Sequence, residues 1–150
     1  MRAIILSLLL AAAGALAAGG APDSPDAKTP NAAGLYNDGL ALKAKKDWTH
    51  AEAAFRAAVK LEPDLVDAWN ELGHALKMQQ RYDDAIRAYE EALRQRPDFA
   101  RAIEYLGEVY AAQGRKADAD AQLAKLQTLD PALAKDLEAA IARGGKGDWE

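Results

Sequence analysis

Gly39, Gly73 and Gly107 stand 34 residues apart in this chain. Ala51, Ala85 and Ala119 keep the same step, and so do Pro63, Pro97 and Pro131. Further columns in that register are Phe55, Tyr89 and Leu123; Leu42, Leu76 and Tyr110; and Ala58, Ala92 and Leu126. So many columns in one register do not arise by accident. A fixed period of this length marks a repeat architecture, in which each unit buries its apolar face by stacking on the next. The chain divides into units at 32–65, 66–99 and 100–133.

Each unit reads as two amphipathic helices. In the middle unit Trp69, Leu72 and Leu76 recur at helical spacing, and then Ala85, Ile86, Tyr89, Ala92 and Leu93 do. A glycine inside a helix costs about 1 kcal/mol against alanine, so Gly73 and Gly107 imply that two backbones approach closely there. Ala85 and Ala119 supply the small facing residue, and the Tyr89 ring fills the space beside them. Pro97 cannot continue a helix and ends its unit. Gly114 sits where the first helix of unit three must stop, at a C′ position. Unit one departs from the pattern: Asp38 stands in the column of Leu72 and Leu106, and Leu35 in that of Trp69. Asn37-Asp38-Gly39 alone would read as a turn, but the register makes it helical. In unit three Lys116 replaces the aromatic seen at Trp48 and Tyr82. Beyond the units, Leu137 and Ile141 continue the spacing of Leu133, which predicts a capping helix over 134–143 with an apolar stripe. Gly144-Gly145 stop it, and 144–150 are expected to be a loose tail.

The N-terminal stretch reads as a label for export. Arg2 gives a positive start, Ala3 to Ala13 carry no charge, and Ala15-Leu16-Ala17 offer small residues for cleavage after Ala17; Gly19-Gly20-Ala21 offer a second possible cut. This is the layout of a secretory signal peptide over 1–17. Its apolar run, 16 residues from Ala3 to Ala18, falls short of the roughly 20 needed to span a bilayer. The expectation is a periplasmic or secreted protein with no membrane insertion after cleavage. Residues 18–31 follow with Pro22, Pro25 and Pro30 and no large apolar side chain, the composition of a flexible tether.

The inventory for chemistry is thin. There is no cysteine, hence no disulfide and no thiolate site. Lys and Arg total 19 against 23 Asp and Glu, a net charge of −4 without basic runs, which argues against a nucleic-acid partner. After cleavage Ser24 is the one serine, and His50 and His74 lie on different helix types. No His-x-x-x-His pair is present, so neither a metal nor another cofactor is expected. Asp83-Asp84 and Glu90-Glu91 are adjacent carboxylates whose side chains diverge on a helix. Gly144-Gly145-Lys146-Gly147 lacks the strand, helix and Ser/Thr of a phosphate loop. No catalytic residue is assigned.

The pattern of Trp69, Leu72, Gly73, Leu76, Ala85, Tyr89, Ala92 and Pro97 resembles the tetratricopeptide repeat family, and the resemblance covers residues 32–133. It implies an all-α fold: a right-handed α-solenoid of three helix-turn-helix repeats plus the capping helix. In that family the first helices of successive repeats line a concave groove that holds a peptide or helix. Carried over by position, the groove comprises Tyr36, Leu40 and Lys43 in unit one; Asp67, Asn70, His74, Lys77 and Met78 in unit two; and Arg101, Glu104 and Glu108, with Ala111 and Ala112, in unit three. His74 sits centrally among them, and reads as an ordinary polar contact before it reads as a group titrating near neutral pH. Some members grip a terminal carboxylate with a set of Lys, Asn and Arg side chains. The matching residues here are Tyr36, Leu40, Glu71, Arg101 and Tyr105, of which Arg101 alone keeps the charge. The implied role is a non-catalytic adaptor that binds a segment of another protein. The alternative is a self-associating scaffold of an exported assembly, and whether residues 18–31 cover the groove stays open.

Overall fold

The computed structural model describes residues 31–145. The expected signal peptide, the tether up to residue 30 and tail residues 146–150 lie outside the described residues. Seven helices follow one another: α1 (Ala32–Ala44), α2 (Trp48–Leu61), α3 (Val66–Met78), α4 (Tyr82–Gln95), α5 (Ala100–Ala112), α6 (Lys116–Leu129) and α7 (Pro131–Ala142). No strand occurs among the described residues. Each helix packs on its neighbour in sequence, α3 also touches α5, and α7 packs on both α5 and α6. The result is an all-α solenoid of three helix pairs closed by a seventh helix. No helix of the described residues is long and apolar enough to cross a membrane.

The periodic glycines sit where the register requires them. A Cβ on Gly39 would stand 2.5 Å from the Phe55 ring, and one on Gly73 would stand 2.6 Å from the Tyr89 ring. Phe55 and Tyr89 are fully buried, flanked by the small residues Ala51 and Ala85. The third unit breaks this rule. A Cβ on Gly107 would meet Leu137 of α7 at 2.6 Å, not Leu123 of its own unit. Leu123 is half-buried instead, beside a satellite core of Ile103, Leu126, Leu133, Ala134 and Leu137. Leucine is too short to replace the aromatic ring, and α7 fills the gap from the far side.

Helix ends follow from local hydrogen bonding. Asn31 opens α1, its Oδ1 accepting from the Gly34 N–H at 2.7 Å. Asn37, Asp38 and Gly39 lie inside α1, with Asp38 exposed. Each first helix ends in the same turn. Lys46, Gln80 and Gly114 occupy left-handed backbone with φ of 57°, 58° and 73°. Their N–H groups donate to the Lys43, Lys77 and Ala111 carbonyls, and the N–H of the next residue donates to the carbonyl one residue earlier, that of Leu42, Leu76 or Tyr110. The capping helix begins three residues before the expected 134. Pro131 opens α7 instead of lying in a turn as Pro63 and Pro97 do, since Asp130 Oδ1 accepts from the Ala132 and Leu133 N–H groups at 3.1 Å. Proline suits a first helical position, where its missing N–H has no partner to lose.

A buried carboxylate ties unit one to unit two. Glu52 of α2 accepts from Arg81 at 2.8 and 2.9 Å, from Gln79 at 2.9 Å and from Arg56 at 2.7 Å. Burial pushes its pKa up, yet these donors outweigh it and hold the carboxyl below its ordinary range.

Candidate partner interface

α1, α3 and α5 bring the expected groove residues onto successive first helices. Tyr36 and Leu40 of α1 are half-buried, and the Tyr36 ring lies 5.9 Å from Phe55. Burial raises the Tyr36 pKa, helped by the charges of Glu71 and Asp67. Lys43 closes the helix with its Nζ 2.5 Å from Glu71 Oε2. On α3, Asp67 pairs with Arg96 at 3.1 Å, and Met78 is half-buried at the last turn. Asn70 is buried; its Nδ2 donates to Glu71 at 3.3 Å and its Oδ1 has no partner.

His74 stands in a row of rings. Trp48 lies 5.5 Å away on one side and Tyr105 5.1 Å on the other, and Tyr105 is 6.0 Å from Tyr89. Lys77 reaches across to α5, with its Nζ 2.5 Å from Glu108 Oε2 and 4.3 Å over the Tyr105 ring. Burial lowers the Lys77 pKa against the pull of Glu108. Arg101 is exposed and pairs with Glu104 at 2.7 Å. Burial pushes Glu104 up although Arg101 pulls it down.

Of the expected groove residues, Asn70, Lys77, Glu104, Glu108 and Ala111 are buried. The accessible part consists of Tyr36, Leu40, Lys43, Asp67, His74, Met78, Arg101 and Ala112. The charges are neutralised pairwise: Lys43 with Glu71, Lys77 with Glu108, Arg101 with Glu104, Arg96 with Asp67. Glu71 and Tyr105, named above only as counterparts of the carboxylate-gripping set, join this surface, and so does Trp48, which had not been assigned to it. Trp48 was missed because lining positions were carried over on first helices alone, whereas it opens a second helix. Its aromatic column with Tyr82 was the available signal.

The structure removes the possibility that His74 titrates near neutrality. Desolvation, with Lys77 and Lys43 nearby, lowers its pKa from 6.5 to about 3. In the unfolded chain it protonates near 6.5, so between these values the unfolded state binds more protons. Stability therefore falls as pH drops through that window, by up to about 1.4 kcal/mol per pH unit. Denaturant unfolding across the window should show a steeper loss for the wild type than for His74→Gln. Parallel profiles would mean that the imidazole is not desolvated. Among the described residues no group of three His, Asp or Glu side chains is placed to hold a metal.

Comparison with known proteins agrees with this geometry. The sequence profile described as tetratricopeptide repeat matches residues 66–99. No curated protein matches the sequence. Among solved structures, that of MamA is 26% identical with a TM-score of 0.62, covering 75% of this chain and 61% of MamA. The chain thus spans less than two thirds of that relative. The TPR2B domain of yeast Sti1, solved as a complex with pHsp70, is 21% identical at a TM-score of 0.70, covering 75% of this chain and 94% of that domain. The first TPR of Spaghetti (RPAP3), bound to the HSP90 peptide SRMEEVD, is 14% identical at 0.71, covering 75% and 91%.

Proposed function

We propose that this tetratricopeptide repeat protein is a non-catalytic adaptor, exported to the periplasm or beyond. It holds a peptide or helical segment of another protein along the inner faces of α1, α3 and α5. The observation that carries this reading is the composition of the accessible inner face. Tyr36, Leu40, His74 and Met78 give apolar and aromatic contact, while the neighbouring charges are already paired. Rings and aliphatic side chains are the groups that anchor interfaces. Two proteins of the same fold were solved as complexes, one with pHsp70 and one with an HSP90 peptide, which supports a peptide-holding role. The residues a partner meets first are Tyr36 and Leu40 at one end and Arg101 at the other. Export rests on the layout of residues 1–17.

Photocrosslinking tests the reading. A crosslinker is placed singly at Leu40, at Arg101 and, as a control, at exposed Arg87 on α4. The inner positions should yield adducts with the same second protein, identified by mass spectrometry, and Arg87 should not. Adducts between copies of this chain would instead establish the self-associating scaffold. Equal labelling from Arg87 would remove the inner face from consideration.

A further inference from the structure

The column of Leu42, Leu76 and Tyr110 changes character along the array. On α5 the Tyr110 ring is buried. The Arg115 guanidinium lies over it, 4.2 Å from the ring centre, and Arg115 is held in turn by Asp118 at 2.8 Å. Burial raises the Tyr110 pKa, and the charges of Glu90 on α4 and Asp118 on α6 raise it further against the pull of Arg115. The ring therefore sits among groups from both neighbouring second helices.

One unit earlier the same columns hold other residues. Leu76 stands in place of the ring, and Arg56 of α2 in place of Glu90. Arg81, in the column of Arg115, pairs with Glu52 and Asp84 at 2.8 and 2.6 Å. A pocket of about 510 Å³ opens here between α2 and α4. Buried Leu72, Leu76 and Ala88, with half-buried Trp69, form its apolar part. The Trp69 indole N–H donates to the Pro63 carbonyl at 2.8 Å, which fixes that ring.

Arg56, Arg87, Asp84 and Glu91 complete the lining, and they are not equivalent. Glu91 is bonded by Arg94 and Gln95, and Asp84 by Arg81. Arg56 and Arg87 have 55% and 69% of their side chains exposed, so their own pairs, with Glu52 and Asp84, are weak. Each also donates to a carboxylate that keeps other donors. Glu52 retains Arg81 and Gln79 when Arg56 leaves, and Asp84 retains Arg81 when Arg87 leaves. Both guanidinium groups can turn to an incoming anion without stranding a negative charge.

We propose that the pocket over Leu76 binds a small aromatic carboxylate, its ring taking the place that Tyr110 holds one unit later and its carboxylate meeting Arg56 and Arg87. Where the Tyr110 phenol lies near an acidic Glu90, this ligand must present an acceptor to Arg56. A carboxylate on a guanidinium is the strong form of that pairing. The volume is that of a small-molecule site, apolar with a few polar groups to set orientation. The charged groups lie on α2 and α4, so the proposal stands apart from the adaptor reading.

Heteronuclear NMR of the isotope-labelled full chain, titrated with hydrocinnamate, tests it. The probe resonance is the Trp69 indole N–H, identified by its loss in Trp69→Phe. The expected result is a saturating shift of that resonance. Hydrocinnamyl alcohol, which keeps the ring without the charge, should bind about tenfold more weakly, and so should hydrocinnamate to the variant carrying Arg56→Gln and Arg87→Gln. Both arginines are exposed, so that variant keeps its fold. Leu76→Tyr, which supplies the ring from within, should abolish the shift with circular dichroism unchanged. No saturating shift in the wild type overturns the proposal. Equal affinity for the alcohol, or for the double arginine variant, would make the contact apolar alone and overturns it too, as does a shift that survives Leu76→Tyr in a folded chain.

Discussion

Tyr89→Ala is expected to lower the stability of the array by about 3–5 kcal/mol, the range for removing a buried aromatic ring. Tyr89 is fully buried and its ring fills the space left by Gly73 and Ala85. The loss is large against the roughly 5–15 kcal/mol that holds most small domains together. Urea unfolding followed by circular dichroism measures it as a fall in midpoint. Two companions separate ring packing from the phenol. The Tyr89 hydroxyl is buried without a partner, so Tyr89→Phe should stay within about 1 kcal/mol of wild type. Leu123→Ala, in the same column of unit three, removes a half-buried side chain and should cost clearly less than Leu137→Ala, which empties the space facing Gly107. A Leu123 effect equal to that of Tyr89 would contradict the packing described for unit three.

The second large effect concerns the ion pair across α3 and α5. Lys77 and Glu108 are both almost fully buried, with 3% and 8% of their side chains exposed. Lys77→Met leaves Glu108 buried without that countercharge, and such a change costs about 3–5 kcal/mol. Replacing both partners together, Lys77→Met with Glu108→Leu, removes the desolvation of two charges along with their attraction. The double variant should recover most of the single variant's loss. The same unfolding midpoints decide it. A single variant as stable as wild type would mean that water reaches Glu108. A double variant no better than the single would mean that shape, not charge, sets the cost.

The helix pairs were legible because a 34-residue register is carried by residues with distinct volumes. Glycine against a ring and alanine beside it admit one arrangement, and the structure has it in units one and two. Unit three was not legible in the same way. Leu123 keeps its column, but the space it leaves is filled by Leu137 from beyond the repeat, and no periodic signal announces a contact with a helix outside the period. The start of α7 slipped for a related reason: Pro131 continues a column whose other members lie in turns, whereas Asp130 converts it into a helix start. For the residues assigned to a groove on α1, α3 and α5, the burial was not readable. Lys77 and Glu108 are ordinary surface residue types, 31 residues apart in sequence, and they are brought together where α3 meets α5. The lowered pKa of His74 has the same origin, since its neighbours Trp48 and Tyr105 come from separate units.

Lys43 and Lys77 occupy the same column, and each reaches forward to a glutamate of the following unit, Glu71 and Glu108. A lattice of plus and minus at such short range cancels within its own width, so little potential extends from these pairs into the solvent. Under the adaptor reading, an incoming chain is then not drawn in from a distance by its charge. It arrives by random collision, and discrimination among candidates falls to shape and to the time each stays once it has touched.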